Sequence, residues 1–131
     1  MKYMLDTDIC SYIIKKNPEK VLKKFQKIGA DKICISVITY SELLFGAEKH
    51  GGKKLKERVN LFLSLTKVLD FDCKSAVFYS KLRAKLEKKG SIIENMDLLI
   101  ASCCLGHKCI LVSNNIKHFL KIKKLKLENW I

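Results

Sequence analysis

Met96-Asp97-Leu98-Leu99-Ile100-Ala101-Ser102-Cys103-Cys104-Leu105-Gly106 is followed two residues later by Cys109-Ile110-Leu111-Val112, and both runs are apolar on nearly every side. The first run predicts a helix buried in the core, because a surface helix would carry a polar face. The second predicts a strand covered on both faces, which is how strands of a parallel sheet between helix layers read. Lys32–Ser36 is a β-branched run of the same kind, and Lys2–Leu5 reads as a third short strand. Val68–Phe71 and Leu125–Leu127 are weaker strand candidates.

Helices fill the intervals. Thr7–Lys16 is the first. A second starts near Pro18, carries Val21, Leu22, Phe25 and Ile28 on one face, and is closed by Gly29. Val37–His50 ends at Gly51-Gly52, and Leu55, Val59, Phe62 and Leu65 mark the next amphipathic face. Lys74–Lys89 and the short Asn115–Leu120 complete the set. Strands alternating with helices predict a three-layer α/β/α sandwich around a mainly parallel sheet. An all-helical fold would waste the strand-like runs at 33–37 and 109–112. With 131 residues, no repeat, no linker and a single proline, one domain over residues 1–131 is expected.

The chain holds 26 Lys plus Arg against 13 Asp plus Glu, a net charge of +13. Such a balance draws a protein to polyanions but carries no sequence information. The longest apolar stretch, Leu98–Leu105, is far shorter than the roughly 20 residues of a membrane span. Asp6 interrupts the N-terminus before a signal-peptide core forms, so a cytoplasmic location is expected, with the six cysteines reduced. Cys103, Cys104, His107 and Cys109 invite a zinc reading, yet no Cys-x-x-Cys pair exists and the segment is apolar all round. Core packing is the preferred reading there. His50 and His118 are expected at the surface.

Ligands of open parallel sheets bind beyond the carboxyl ends of the strands. The residues following the expected strands are Asp6 and Asp8, then Glu42 one turn into its helix, then Ser113, Asn114 and Asn115; Glu94 and Asp97 open the buried helix. Each has a simpler explanation. Asp6, Asp8 and Asp97 are candidate N-caps, Thr39-Tyr40-Ser41-Glu42 matches a capping box, and Asn114-Asn115 suits a turn. As a set they point further, because Asp97 stands directly before an apolar run where an unpaired charge is costly. Convergent carboxylates in a basic protein suit a hard cation, Mg²⁺ or Mn²⁺. A carboxylate-held cation with basic surroundings makes a phosphodiester site. No glycine-rich phosphate loop, GxGxxG or Ser-His-Asp arrangement supports another chemistry.

Met4-Leu5-Asp6-Thr7-Asp8, Ile35-Ser36-Val37-Ile38-Thr39-Tyr40-Ser41-Glu42-Leu43-Leu44-Phe45-Gly46-Ala47, Met96–Ala101, Leu111-Val112-Ser113-Asn114-Asn115 with His118-Phe119, and Leu127-Glu128-Asn129-Trp130 together resemble the PIN-domain toxins of the VapC type. The strings agree in order and spacing from Met1 to Trp130. The resemblance implies a PIN fold and a homodimer. It also implies a Mg²⁺- or Mn²⁺-dependent endoribonuclease, the toxin of a type II toxin–antitoxin pair, held inactive by a cognate antitoxin and acting on RNA such as transfer RNA. It places Asp6, Glu42 and Asp97 at the three acidic positions, as catalytic residues and metal ligands, and Ser113 where a hydroxyl orients the first acid. Asn115 falls at a fourth catalytic position that is aspartate in many PIN nucleases, which favours one ion over two. Asp8 and Glu94 are expected to support the site, Glu94 either by adding charge or simply by capping the buried helix. Two alternatives stand beside this reading: a PIN-like nuclease of RNA processing, and a catalytically decayed RNA-binding module. A peripheral membrane protein fits less well, because the Lys-rich faces lack interleaved Trp and Phe.

Overall fold

A computed structural model describes residues 1–131. Five strands, β1 (Tyr3–Leu5), β2 (Ile33–Ser36), β3 (Lys67–Leu69), β4 (Ile110–Val112) and β5 (Leu127–Glu128), form one sheet in the order β3-β2-β1-β4-β5. Every pairing is parallel. The helices are α1 (Thr7–Lys15), α2 (Glu19–Ile28), α3 (Val37–His50), α4 (Lys53–Ser64), α5 (Cys73–Lys88), α6 (Asn95–Gly106) and α7 (Ile116–Phe119).

Alternation along the strands divides the interior into two cores. Leu5, Ile33, Ile35 and Val112 face one core, completed by side chains of α1 to α4 and by Trp130. Met4, Cys34 and Leu111 face the other, completed by α5, α6 and α7. Both faces of the sheet are therefore dry, which explains the continuous apolar strand sequences. The three-layer α/β/α expectation holds.

Helix α6 is enclosed as its composition demands: Leu98, Ile100, Ala101, Ser102, Cys103 and Cys104 are all buried. Its one buried hydroxyl, Ser102, donates to the Leu98 carbonyl at 2.7 Å. At the far end Gly106 lets α5 approach closely, for a Cβ there would lie 2.7 Å from Ser75 Oγ and 3.0 Å from Ser75 N. Boundaries differ from expectation in small ways. Pro18 occupies the N-cap of α2 rather than its first turn, in extended backbone. Strand β3 stops at Leu69, and Phe71 instead packs edge-on against Tyr79 at 6.5 Å. Asp72 caps α5 by accepting from the Ser75 N–H at 2.9 Å.

Candidate active site

Strand β1 lies between β2 and β4, so the connections leave it toward opposite edges of the sheet. That switch of direction opens a crevice at the carboxyl ends of β1 and β4. Asp6 stands in it, held by its N–H donating to the Val112 carbonyl at 3.0 Å. Its Oδ1 accepts from the Ile9 N–H at 3.0 Å, so Asp6 does cap α1. Only 5% of Asp6 is exposed. Burial pushes its carboxyl up to about 6; the Ser113 hydroxyl and the Ile9 N–H pull the other way, and the charges of Asp8 and Asp97 raise it further. Ser113 is fully buried at the end of β4, anchored by its N–H to the Glu128 carbonyl at 3.0 Å.

Asp97 is the third residue of α6, which points its N-terminus at the same crevice. Of the two candidate caps, Glu94 takes the role, accepting from the Asp97 N–H at 3.1 Å. The Asp97 carboxyl is therefore free of a capping duty. It is half-buried and raised to about 6, first by desolvation, then by the charges of Glu94 and Glu42, with His118 lowering it and Asp8 adding a small rise.

Glu42 also departs from the capping-box reading. Ser36, at the end of β2, caps α3 by accepting from the Thr39 N–H at 3.1 Å. Thr39 is thus inside the helix, and Glu42 is released from the backbone. Its Oε1 accepts instead from the Thr7 hydroxyl at 2.5 Å, and Thr7 Oγ1 lies 3.2 Å from Thr39 Oγ1. A hydroxyl has one proton, so Thr39 donates to Thr7 while Thr7 donates to Glu42. This relay fixes one carboxylate oxygen of Glu42 and leaves Oε2 uncommitted.

The fold therefore brings Asp6, Asp8, Glu42, Glu94 and Asp97 within electrostatic reach of one another. None of the five is paired with a lysine or arginine, although the chain has 26 of them; the acids in ion pairs are Glu19, Glu48, Asp72 and Glu87. Five oxygen-donor groups left uncompensated in a basic protein fit a hard divalent cation better than any protein partner present. As they stand, no three His, Cys, Asp or Glu side chains close on a common point.

The family model for the PIN domain matches residues 3–125. The chain belongs to the PIN-domain family. It is similar to Ribonuclease VapC2 of Rickettsia felis, 42% identical over 132 residues that cover 99% of this chain and 98% of that protein. The tRNA(fMet)-specific endonuclease VapC of Salmonella typhimurium is 34% identical over 131 residues, again 99% of this chain and 98% of the relative. The crystal structure of VapBC2 from R. felis bound to a DNA fragment from its promoter superposes with a TM-score of 0.90 at 42% identity, covering 100% of each chain. The PIN fold and the VapC branch inferred from the sequence strings are thereby established.

In this PIN domain Asn115, expected at the fourth position, is polar and uncharged. Its N–H donates to Ser113 Oγ at 2.9 Å, and its side-chain amide meets His118 Nδ1 at 2.8 Å. His118 is exposed, as expected, but it is not isolated, since it acts electrostatically on Asp97. Thr7 and His118 are the neighbours that sequence reasoning passed over. Thr7 sits between two site acids in Asp-Thr-Asp, the one local sign of its place. The cysteines of the 103–109 segment pack into the core and turn to the backbone: Cys104 Sγ donates to the Cys109 carbonyl at 3.2 Å, Cys103 Sγ to the Asp70 carbonyl at 3.6 Å, and His107 Nε2 meets the Asp70 carbonyl at 2.8 Å.

Proposed function

We propose that this chain is a Mg²⁺- or Mn²⁺-dependent endoribonuclease, the toxin of a toxin–antitoxin pair. One observation carries the reading: five carboxylates lie within electrostatic reach of one another near the sheet's switch point, and none is paired with a lysine or arginine. Asp6 and Asp97 are the residues that would hold the cation, with Glu42 beside them. When bound, the ion supplies positive charge against the scissile phosphate and lowers the pKa of a water. Glu42, steadied at Oε1 by Thr7, offers Oε2 to orient that water and take its proton. Ser113 and the Ile9 N–H hold Asp6 in its ionisable geometry. Asp8 and Glu94 deepen the negative potential, and Asn115 lends hydrogen bonds without charge.

RNA as substrate is supported by the ribonuclease names of the relatives, and the tRNA-specific name of the Salmonella protein makes transfer RNA the first substrate to test. An antitoxin partner is supported by the VapBC complexes among similar structures. We also propose a homodimer and a cytoplasmic site of action; no helix is long and apolar enough to cross a membrane. Asp6→Asn and Asp97→Asn should each abolish RNA cleavage while leaving the far-ultraviolet spectrum unchanged. Undiminished cleavage by both variants in the presence of a chelator would sink the mechanism. Asn115 favours a second reading, a decayed module that binds RNA without cutting it. Calorimetric titration separates the two, because a decayed site would bind Mn²⁺ no better than its Asp6→Ala variant.

A further inference from the structure

A groove of about 330 Å³ runs between α5 and the segment that follows α7, and six of its eleven lining residues are lysines. Lys81, Lys85 and Lys89 form one rim at helical i,i+4 spacing, and Lys121, Lys123 and Lys124 form the other. No acid lines it, and none of the six lysines is in an ion pair. Holding two rows of like charge across a groove is unfavourable until an anion lies between them. The floor is apolar, with Phe78, Leu82, Leu105 and Ile122.

The groove adjoins the N-terminal end of α6, the helix that carries Asp97. Leu86 lines it and also lines a second recess, of about 260 Å³, whose other wall includes Ile92 and Glu94. Lys121 Nζ reaches from the groove to the Ile92 carbonyl at 3.2 Å, tying the two together. In the second recess Arg83 is neutralised by Glu87 at 2.7 Å, so positive charge fades along the path. At its end Glu94 caps the helix that carries Asp97.

We infer that this lysine groove is the docking track for the phosphate backbone of the RNA substrate, delivering the strand from the α5 side into the crevice. The inference rests on the ribonuclease reading above and adds the side from which the strand enters. Two facing rims of one sign suit a continuous polyanion, whereas a protein helix would bring mixed charge. Phe78 in the floor adds an aromatic ring, which stacks on bases regardless of identity. The lysines of α2 lie across the sheet, on the other helix layer.

The test is fluorescence anisotropy of a labelled single-stranded RNA oligonucleotide with the full chain in chelator, where nothing is cut. Lys85→Gln/Lys123→Gln is compared with Lys20→Gln/Lys24→Gln on α2, a pair with the same change of net charge, and melting curves check that both variants fold. For single strands each lost phosphate contact removes about 0.7 from the slope of log affinity against log salt. The groove pair should therefore lose about 25-fold in affinity at 0.1 M salt, with a slope shallower by about 1.4, and the α2 pair less than threefold. Equal losses in the two pairs would mean diffuse attraction and overturn the inference. Unchanged RNA affinity with lost binding of an acidic helical peptide would assign the groove to a protein partner, and also overturns it. If the wild-type chain fails to cut any RNA but the groove pair still loses RNA affinity selectively, the nuclease reading fails and the track stands.

Discussion

Asp6→Asn should make the metal-free protein more stable at neutral pH, although it destroys the proposed site. Burial at 5% exposure raises the Asp6 carboxyl from 3.8 to about 6. An acid with a raised native pKa binds more protons folded than unfolded between those values. Stability is therefore full below about pH 4, falls as pH rises through 6, and is lower by about 3 kcal/mol at pH 7. Asparagine is neutral throughout, caps a helix as well as aspartate, and keeps an oxygen for the Ile9 N–H. Removing the Asp6 charge also relieves Asp97, which acts in the same direction. Urea unfolding of both proteins in chelator, at half-unit steps from pH 4.5 to 8, gives the difference curve. It should be small at the acid end and grow to about 2–3 kcal/mol by pH 7. Adding Mn²⁺ should then raise the midpoint of the wild type and not of the variant. A difference that is flat with pH, or a variant less stable at pH 7, would refute the claim that Asp6 is a destabilised charge awaiting a cation.

Thr7→Val, nearly isosteric, frees Glu42 to rotate; RNA cleavage should fall at least tenfold while the urea midpoint shifts by less than about 1 kcal/mol, as expected for loss of one part-buried hydrogen bond. His118→Ala removes a group that lowers Asp97, so the rising limb of the pH–rate profile should move to higher pH, and an unmoved limb would remove His118 from the site's electrostatics. Gly106→Ala places a methyl 2.7 Å from Ser75 Oγ and 3.2 Å from Ser75 Cα; because backbone must shift, thermal unfolding should show a loss of about 1–3 kcal/mol.

The fold was legible because its strands are dry on both faces and its helices are not. Val37–His50 was bounded correctly by a strand before it and the Gly51-Gly52 pair after it. Strand β3 was misplaced by a residue or two because an edge strand with a half-exposed pattern gives a weak signal. The site acids were legible as a set from their positions after strands, but their individual duties were not. Several residues can cap one helix, and backbone geometry chooses among them: Ser36 took the cap of α3 and Glu94 that of α6, freeing Glu42 and Asp97. The Thr7–Glu42 bond joins residues 35 apart, and the two lysine rows are separated by more than 30 residues of chain. No local pattern encodes either; only packing makes them neighbours.

The sheet order has a consequence for biosynthesis. The strand that leads into Asp6 pairs on one side with β4, which leads into Ser113, and the Ser113 N–H is held in turn by the Glu128 carbonyl. Tyr3 in β1 packs against Trp130 at 5.9 Å between ring centroids. A ribosome thus makes the first acid near the start of the chain and the residues that brace it more than a hundred peptide bonds later. The bond that anchors Ser113 and the ring that covers Tyr3 thus form only when the last few residues have been made, which ties the two ends of the chain together across the middle of the sheet.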